Sequence, residues 1–245
     1  MEWLTKTLIS HRGLHDGFHV PENSLLAFEE AIKKGYSIEL DVRITKDNQV
    51  VVFHDKNLNR LSNINKKIRH MTFDELKEAR LYGTEEKIPL LKDVLTLIDC
   101  RVPLLIDIKD YGEVGIFEEQ IYNVLKDYKG KFAICSFNPS VVSWFRKNQP
   151  NVKRGFIFGD LEKVEIKFHN LIFLYRYLTL KPDFISLDYN LLSNFIINIC
   201  KSFKVPLVTW TIKTKDNALE VIDKVDNIIF EGFEPKDLAL EKDRF

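Results

Sequence analysis

The sequence predicts an α/β fold, a (β/α)8 TIM barrel, on three observations. Apolar strand-like runs alternate with helical stretches along most of the chain. Several of these runs, such as Leu104-Leu105-Ile106, are apolar on both faces, as strands of a buried parallel sheet are. Nine runs read as strands, but one follows its predecessor across a turn too short for a crossover and must be antiparallel; the remaining eight are the number that closes a barrel at about this length. A doubly wound open sheet would carry a Gly-x-Gly-x-x-Gly turn after a strand, and the sequence has none.

The first strand, residues 7–10, delivers His11-Arg12-Gly13 at its C-terminal end. After a loop through Gly17 and Pro21, Asn23 or Ser24 caps a helix with apolar positions Leu25, Phe28, Ala31 and Ile32, which Gly35 stops. The second strand, residues 38–42, puts Ile38, Leu40 and Val42 on one face and Glu39, Asp41 and Arg43 on the other. Across the Lys46–Gln49 turn, residues 50–53 fold back as a hairpin that ends in His54-Asp55. Residues 56–87 are polar with one helix signal, a capping box at Thr72 and Glu75 before Leu76, Ala79 and Leu81. Together with the hairpin they form a small insertion after the second strand, at approximately 44–88, in one barrel domain spanning 1–245. Pro89 opens a helix through Val94 and Ile98. The later strands are 103–109, 132–137, 152–158, 184–189, 206–212 and 227–232, and the helices between them 115–128, 140–147, 161–180, 192–203 and 217–225. The aromatic stretch Phe168–Tyr177 could face lipid, but Arg176 and its helical spacing favour a barrel-packing helix.

Composition removes several functions. Lys and Arg number 36 against 36 Asp and Glu, which argues against a nucleic-acid partner held by bulk charge. No uncharged apolar stretch approaches the roughly 18 residues of a transmembrane segment. Residues 1–10 read as the lead-in to a strand, not as a signal peptide, so the expected location is cytoplasmic. Cys100, Cys135 and Cys200 are odd in number, lack zinc spacing, and read as buried reduced thiols.

In a barrel the active site forms at the C-terminal ends of the strands. There the sequence places His11 and Arg12, then Glu39 and Asp41, then Asp107 and Lys109, with Trp210 near the end of the seventh strand and Glu231 near the end of the eighth. His54 returns on the hairpin beside Asp41. Two acids about 7 Å apart on one strand face repel each other and resist burial. One divalent cation, Mg²⁺ or Ca²⁺, relieves both difficulties through the oxygen ligands of Glu39, Asp41 and Asp107. Arg12 and Lys109 suit an anionic, phosphate-bearing small molecule. His11 and His54 suit a general acid and base. Taken singly, Glu39 and Asp41 could be an ion network with Arg43 or Lys109, and Trp210 a core residue. The joint arrangement at successive strand ends favours a site.

These residues also resemble the signatures of the glycerophosphodiester phosphodiesterase family. His11-Arg12-Gly13 with Pro21-Glu22-Asn23-Ser24 is similar to its opening block. Ile38-Glu39-Leu40-Asp41-Val42, Thr45-Lys46-Asp47, Val51-Val52-Phe53-His54-Asp55 and Leu58-Asn59-Arg60 resemble its core. Ile88-Pro89-Leu90-Leu91, Asp107-Ile108-Lys109, Cys135–Pro139 and Thr209-Trp210-Thr211 follow in order. The resemblance implies metal-dependent hydrolysis of glycerophosphodiesters to sn-glycerol 3-phosphate and an alcohol, with His11 and His54 as the acid–base pair. It also implies Glu39, Asp41 and Asp107 as metal ligands and Arg12 and Lys109 on the phosphate. Two departures stand out: Asp107 where the family usually has Glu, and Phe230-Glu231-Gly232-Phe233 in place of a Thr-Asp-x-Pro ending. The expected path runs through a cyclic phosphate, with direct attack by water as the alternative. A phospholipase D- or C-like enzyme acting on lysophospholipids, or a non-catalytic phosphodiester-binding module, are the alternative functions.

Overall fold

The computed structural model describes residues 1–109, 113–235 and 238. Helix α1 (Trp3–Lys6) precedes strand β1 (Ile9–Ser10). The expected lead-in is thus a turn of helix: Trp3 and Leu4 are buried, and the Asn227 amide donates to the carbonyls of Leu4 and Thr7, both at 2.8 Å. Eight strands with their helices make the (β/α)8 barrel class that the sequence predicts. The chain divides into two compact units, residues 10–132 and residues 1–9 with 133–245.

The first unit holds α2 (Leu25–Lys34), β2 (Ser37–Ile44), β3 (Val50–Val52), β4 (Asn57–Leu58), α3 (Asn59–Ser62), β5 (Ile64–Lys67), α4 (Phe73–Leu76), α5 (Leu91–Ile98), β6 (Leu104–Ile108) and α6 (Ile116–Leu125). Ser24 caps α2 by accepting from the Ala27 amide, and Gly35 ends it in the left-handed conformation, both as expected. Strand β3 pairs antiparallel with β2, as the short turn requires, and β6 pairs with β2 in parallel. The capping box of α4 forms at Thr72 and Glu75. Residues 56–87 carry more than that helix. Leu58, Leu61, Ile68, Met71, Leu76 and Leu81 join Val51, Phe53 and Leu90 in a small core of their own.

The second unit continues with β7 (Phe132–Ser136), α7 (Pro139–Asn148), β8 (Arg154–Phe158), α8 (Lys163–Lys167), α9 (His169–Leu180), β9 (Phe184–Asp188), α10 (Asn194–Phe203), β10 (Leu207–Ile212), α11 (Lys215–Val221) and β11 (Asn227–Phe230). Strands β7 to β11 pair in sequence order, each parallel to the next. Gly155 on β8 faces Phe184 on β9, and a Cβ there would stand 2.2 Å from the ring. The helix expected over 161–180 is two helices that meet at Phe168. Cys135 and Cys200 are buried thiols as expected, whereas Cys100, in a left-handed turn after α5, is exposed. No helix among the described residues is long and apolar enough to cross a membrane.

Candidate active site

Strand pairing brings the carboxylates together, wholly within residues 10–132. Asp41 on β2 and Asp107 on β6 are direct register partners, so their side chains leave the sheet on the same face. Glu39 and Lys109 stand two residues away on that face. His11 and Arg12 follow β1. Arg12 adopts φ 55°, uncommon for a residue with a Cβ, and so turns its backbone amide onto Glu39 Oε2 at 3.0 Å. Gly13 completes the turn at φ 81°, where a Cβ would lie 2.9 Å from the Ala27 backbone, so only glycine fits.

Each carboxylate then meets a cation or an amide. Arg12 Nε lies 3.1 Å from Asp41 Oδ2, and Lys109 Nζ lies 3.2 Å from Asp41 Oδ1 and 2.5 Å from Asp107 Oδ2. Asn23 clasps Asp41 in both directions, its Nδ2 donating to Oδ2 at 2.8 Å and its Oδ1 accepting from the Asp41 amide at 3.2 Å. His11 Nε2 stands 3.9 Å from Glu39 Oε2. His54 Nδ1 is 2.7 Å from Asp55 Oδ1, which leaves Nε2 as the ring atom available to a substrate.

The acids are not equivalent. Burial pushes the Glu39 carboxyl well above its usual range, and the charges of Asp41 and Asp107 push it further. Burial also raises Asp107. Burial would raise Asp41 too, but Lys109 and Arg12 outweigh it and hold that carboxyl well below its usual range. Glu39, Asp41 and Asp107 each offer an oxygen, all within 4.8 Å of one another. Asp41 Oδ1 and Asp107 Oδ1 are buried and accept no hydrogen bond. Three convergent carboxylates with spare lone pairs fit a hard divalent cation and not zinc.

Four further residues complete the site, and sequence reading did not single them out as functional. Glu22 accepts from Arg12 at 2.7 Å and from both terminal nitrogens of Arg60 at 2.7 and 2.8 Å. Arg60 also grips Asp55 at 2.8 and 3.0 Å, so Arg12, Glu22, Arg60, Asp55 and His54 form one chain of charge-assisted bonds. Arg43, expected beside the carboxylates, donates from Nε to the His54 carbonyl at 2.7 Å and from a terminal nitrogen to the Lys109 carbonyl at 3.1 Å. It ties down two loops.

Arg60→Ala should cost about 1–2 kcal/mol at neutral pH, a value discounted because Arg60 is 40% exposed. Burial would raise Asp55 and Glu22, yet hydrogen bonds from His54 and Arg60 to the first and from Arg60 to the second hold both below their ordinary 3.8 and 4.5. A carboxyl depressed in the fold stabilises above its unfolded value and loses that contribution as pH falls through its folded value. Denaturant unfolding near pH 7 and near pH 3 should therefore show the penalty shrinking in acid; an equal penalty at both would mean that Arg60 acts by packing alone.

Trp210 lies on β10 in the other unit, its ring edge-on to Phe137 at 5.4 Å and its Nε1 buried without a hydrogen-bond partner. Glu231 follows β11 and pairs with Lys213 at 2.7 Å. His15, four residues after His11, has both ring nitrogens buried.

Comparison with known proteins identifies the family. The model of the glycerophosphoryl diester phosphodiesterase family matches residues 11–233. A glycerophosphodiester phosphodiesterase of Caldanaerobacter subterraneus subsp. tengcongensis is 31% identical over 240 residues, covering 91% of this chain and 93% of that protein. A lysophospholipase D of Rattus norvegicus is 37% identical over 134 residues, 49% of this chain and 41% of that protein. Among solved structures, an Oleispira antarctica phosphodiesterase in complex with the product sn-glycerol-3-phosphate superimposes with a TM-score of 0.83 at 21% identity, over 96% of this chain and 97% of that one. The chain belongs to the glycerophosphoryl diester phosphodiesterase family.

Proposed function

We propose that this chain hydrolyses glycerophosphodiesters to sn-glycerol 3-phosphate and an alcohol, with one divalent cation, Mg²⁺ or Ca²⁺, held by Glu39, Asp41 and Asp107, and with His11 and His54 as the acid–base pair. Its class, a phosphoric diester hydrolase, follows from the family. The observation that carries the finer reading is the cluster of three buried carboxylates with two oxygens that accept no hydrogen bond, beside Arg12 and Lys109. The reading treats residues 1–245 as one catalytic domain with its insertion at 44–88, acting in the cytoplasm, as the free cysteines suit.

When bound, the cation supplies Lewis-acid stabilisation of the charge that develops on a phosphoryl oxygen. The residues of the chain supply the rest. Arg12 and Lys109 orient the phosphodiester and stabilise the same developing charge. One histidine takes the proton of the substrate's glycerol hydroxyl, whose oxygen then forms the new bond to phosphorus. The other histidine gives a proton to the departing alcohol oxygen as the old bond breaks. Water then opens the cyclic phosphate with the two histidine roles exchanged. Trp210, with its free Nε1 donor, is the aromatic candidate for contact with the substrate. The rat relative's name supports a second substrate class, lysophospholipids, for the same chemistry.

The test is an assay of the purified chain on glycerophosphocholine, glycerophosphoethanolamine and a lysophospholipid, with Mg²⁺, Ca²⁺ or excess chelator. Release of sn-glycerol 3-phosphate from the first two, lost in chelator, is expected. Full activity in chelator would refute the cation, and an intact phosphodiester under all conditions would refute the activity.

A further inference from the structure

Helix α9 is apolar on two sides. On its inner side Phe173 and Leu180 are buried, and Tyr177 stacks on Phe173 at 6.3 Å and meets Phe203 of α10 at 5.4 Å. That much is the packing helix the sequence suggests. Its outer side is uncovered. Leu171, Tyr175 and Leu178 are 64%, 65% and 54% exposed, and Phe168, just before the helix, is 56% exposed. Spacings of three and four residues line these side chains into one stripe. A helix apolar all round is ordinarily buried, and an exposed stripe of large apolar residues marks an interaction face.

Charge says what would cover it. Helices α9 and α10 hold no Asp or Glu, in a chain where 36 of 245 residues are acidic. Lys167 and Lys181 flank α9, Lys201 and Lys204 stand beside Phe203 at the end of α10, and all four are exposed. The nearest acids in sequence are Glu165, in α8, and Asp183, which pairs with Lys153 at 3.0 Å. We propose that the outer stripe of α9, with Phe203 and these lysines, is a docking surface for an anionic phospholipid bilayer. The leucines and aromatic rings enter the boundary between headgroups and acyl chains. The lysines lay their stems along that apolar surface and present their ammonium groups to lipid phosphates. A second copy of the chain fits less well, because self-apposition would bring the lysines of two such rims together.

The full chain should co-sediment with vesicles of phosphatidylcholine containing phosphatidylglycerol at about one lipid in three, and not with phosphatidylcholine alone, and added salt should release it. The Leu171→Glu, Tyr175→Glu, Leu178→Glu triple variant should lose vesicle binding while keeping its thermal unfolding and its hydrolysis of soluble glycerophosphocholine. Lys201→Glu with Lys204→Glu, which leaves the stripe intact, should weaken binding more than about tenfold. Absence of binding to anionic vesicles at low salt would overturn the proposal. So would light scattering that shows a dimer which the triple variant turns into a monomer, since the stripe would then be covered by a second copy.

Discussion

Asp41→Asn should abolish cation binding and lower kcat/KM by about 10³-fold or more, with the fold intact. Asp41 touches the most groups in the cluster: Arg12, Lys109 and Asn23 all reach it. Its carboxyl is the one held well below the ordinary range, so it carries full charge where burial would otherwise neutralise it. An amide keeps the shape and can still bond Asn23, so the loss should fall on charge and not on packing. Calorimetric titration with Mg²⁺ and Ca²⁺, beside thermal unfolding, separates the two. A variant that binds cation as the parent does would remove Asp41 from the ligand set.

His11→Ala or His54→Ala should each lower kcat by about 10²–10⁴, with a smaller effect on substrate affinity. The double variant should fall far short of the product of the two losses, because the pair shuttles protons as one unit. The environments of the two rings divide their roles. His54 is 32% exposed at the side chain and is gripped through Nδ1 by Asp55, which fixes the ring with Nε2 outward. His11 is 14% exposed and sits against Glu39. The open position suits the acid that meets a leaving alcohol, so His54 is the expected acid and His11 the expected base. An aryl ester, whose phenolate leaves without a proton, should rescue His54→Ala and not His11→Ala. The reverse pattern would exchange the roles, and rescue of neither would refute the acid–base pair.

Much of this site was legible in the sequence because strand period is simple. Glu39 and Asp41 had to share a face, and so did Asp107 and Lys109. The turn at Lys46–Gln49 could only give a hairpin, and β3 is antiparallel. The ion network weighed as the alternative for Glu39 and Asp41 is present at Asp41, which Lys109 joins to Asp107, and Arg43 donates to the carbonyls of His54 and Lys109. The supporting shell was not legible. Glu22 and Arg60 are 38 residues apart, and no local period links them. The small core of residues 51–90 was hidden for a related reason, since its apolar residues keep helical or strand spacing for only two or three positions at a time. Phe168, where the long helix divides, carries no Gly or Pro to announce the break.

The pairing of Asp41 with Asp107 has a consequence for how the chain assembles. A slip of one residue between β2 and β6 would leave the backbone ladder formed but put Ile106 or Ile108 where Asp107 stands. Such a misaligned chain could not gather three carboxylates. The cation proposed for these three carboxylates would bind only the aligned pair and draw the population toward it by mass action. The same ion would then act as a vernier during refolding, reading strand alignment to a single residue before any substrate is met.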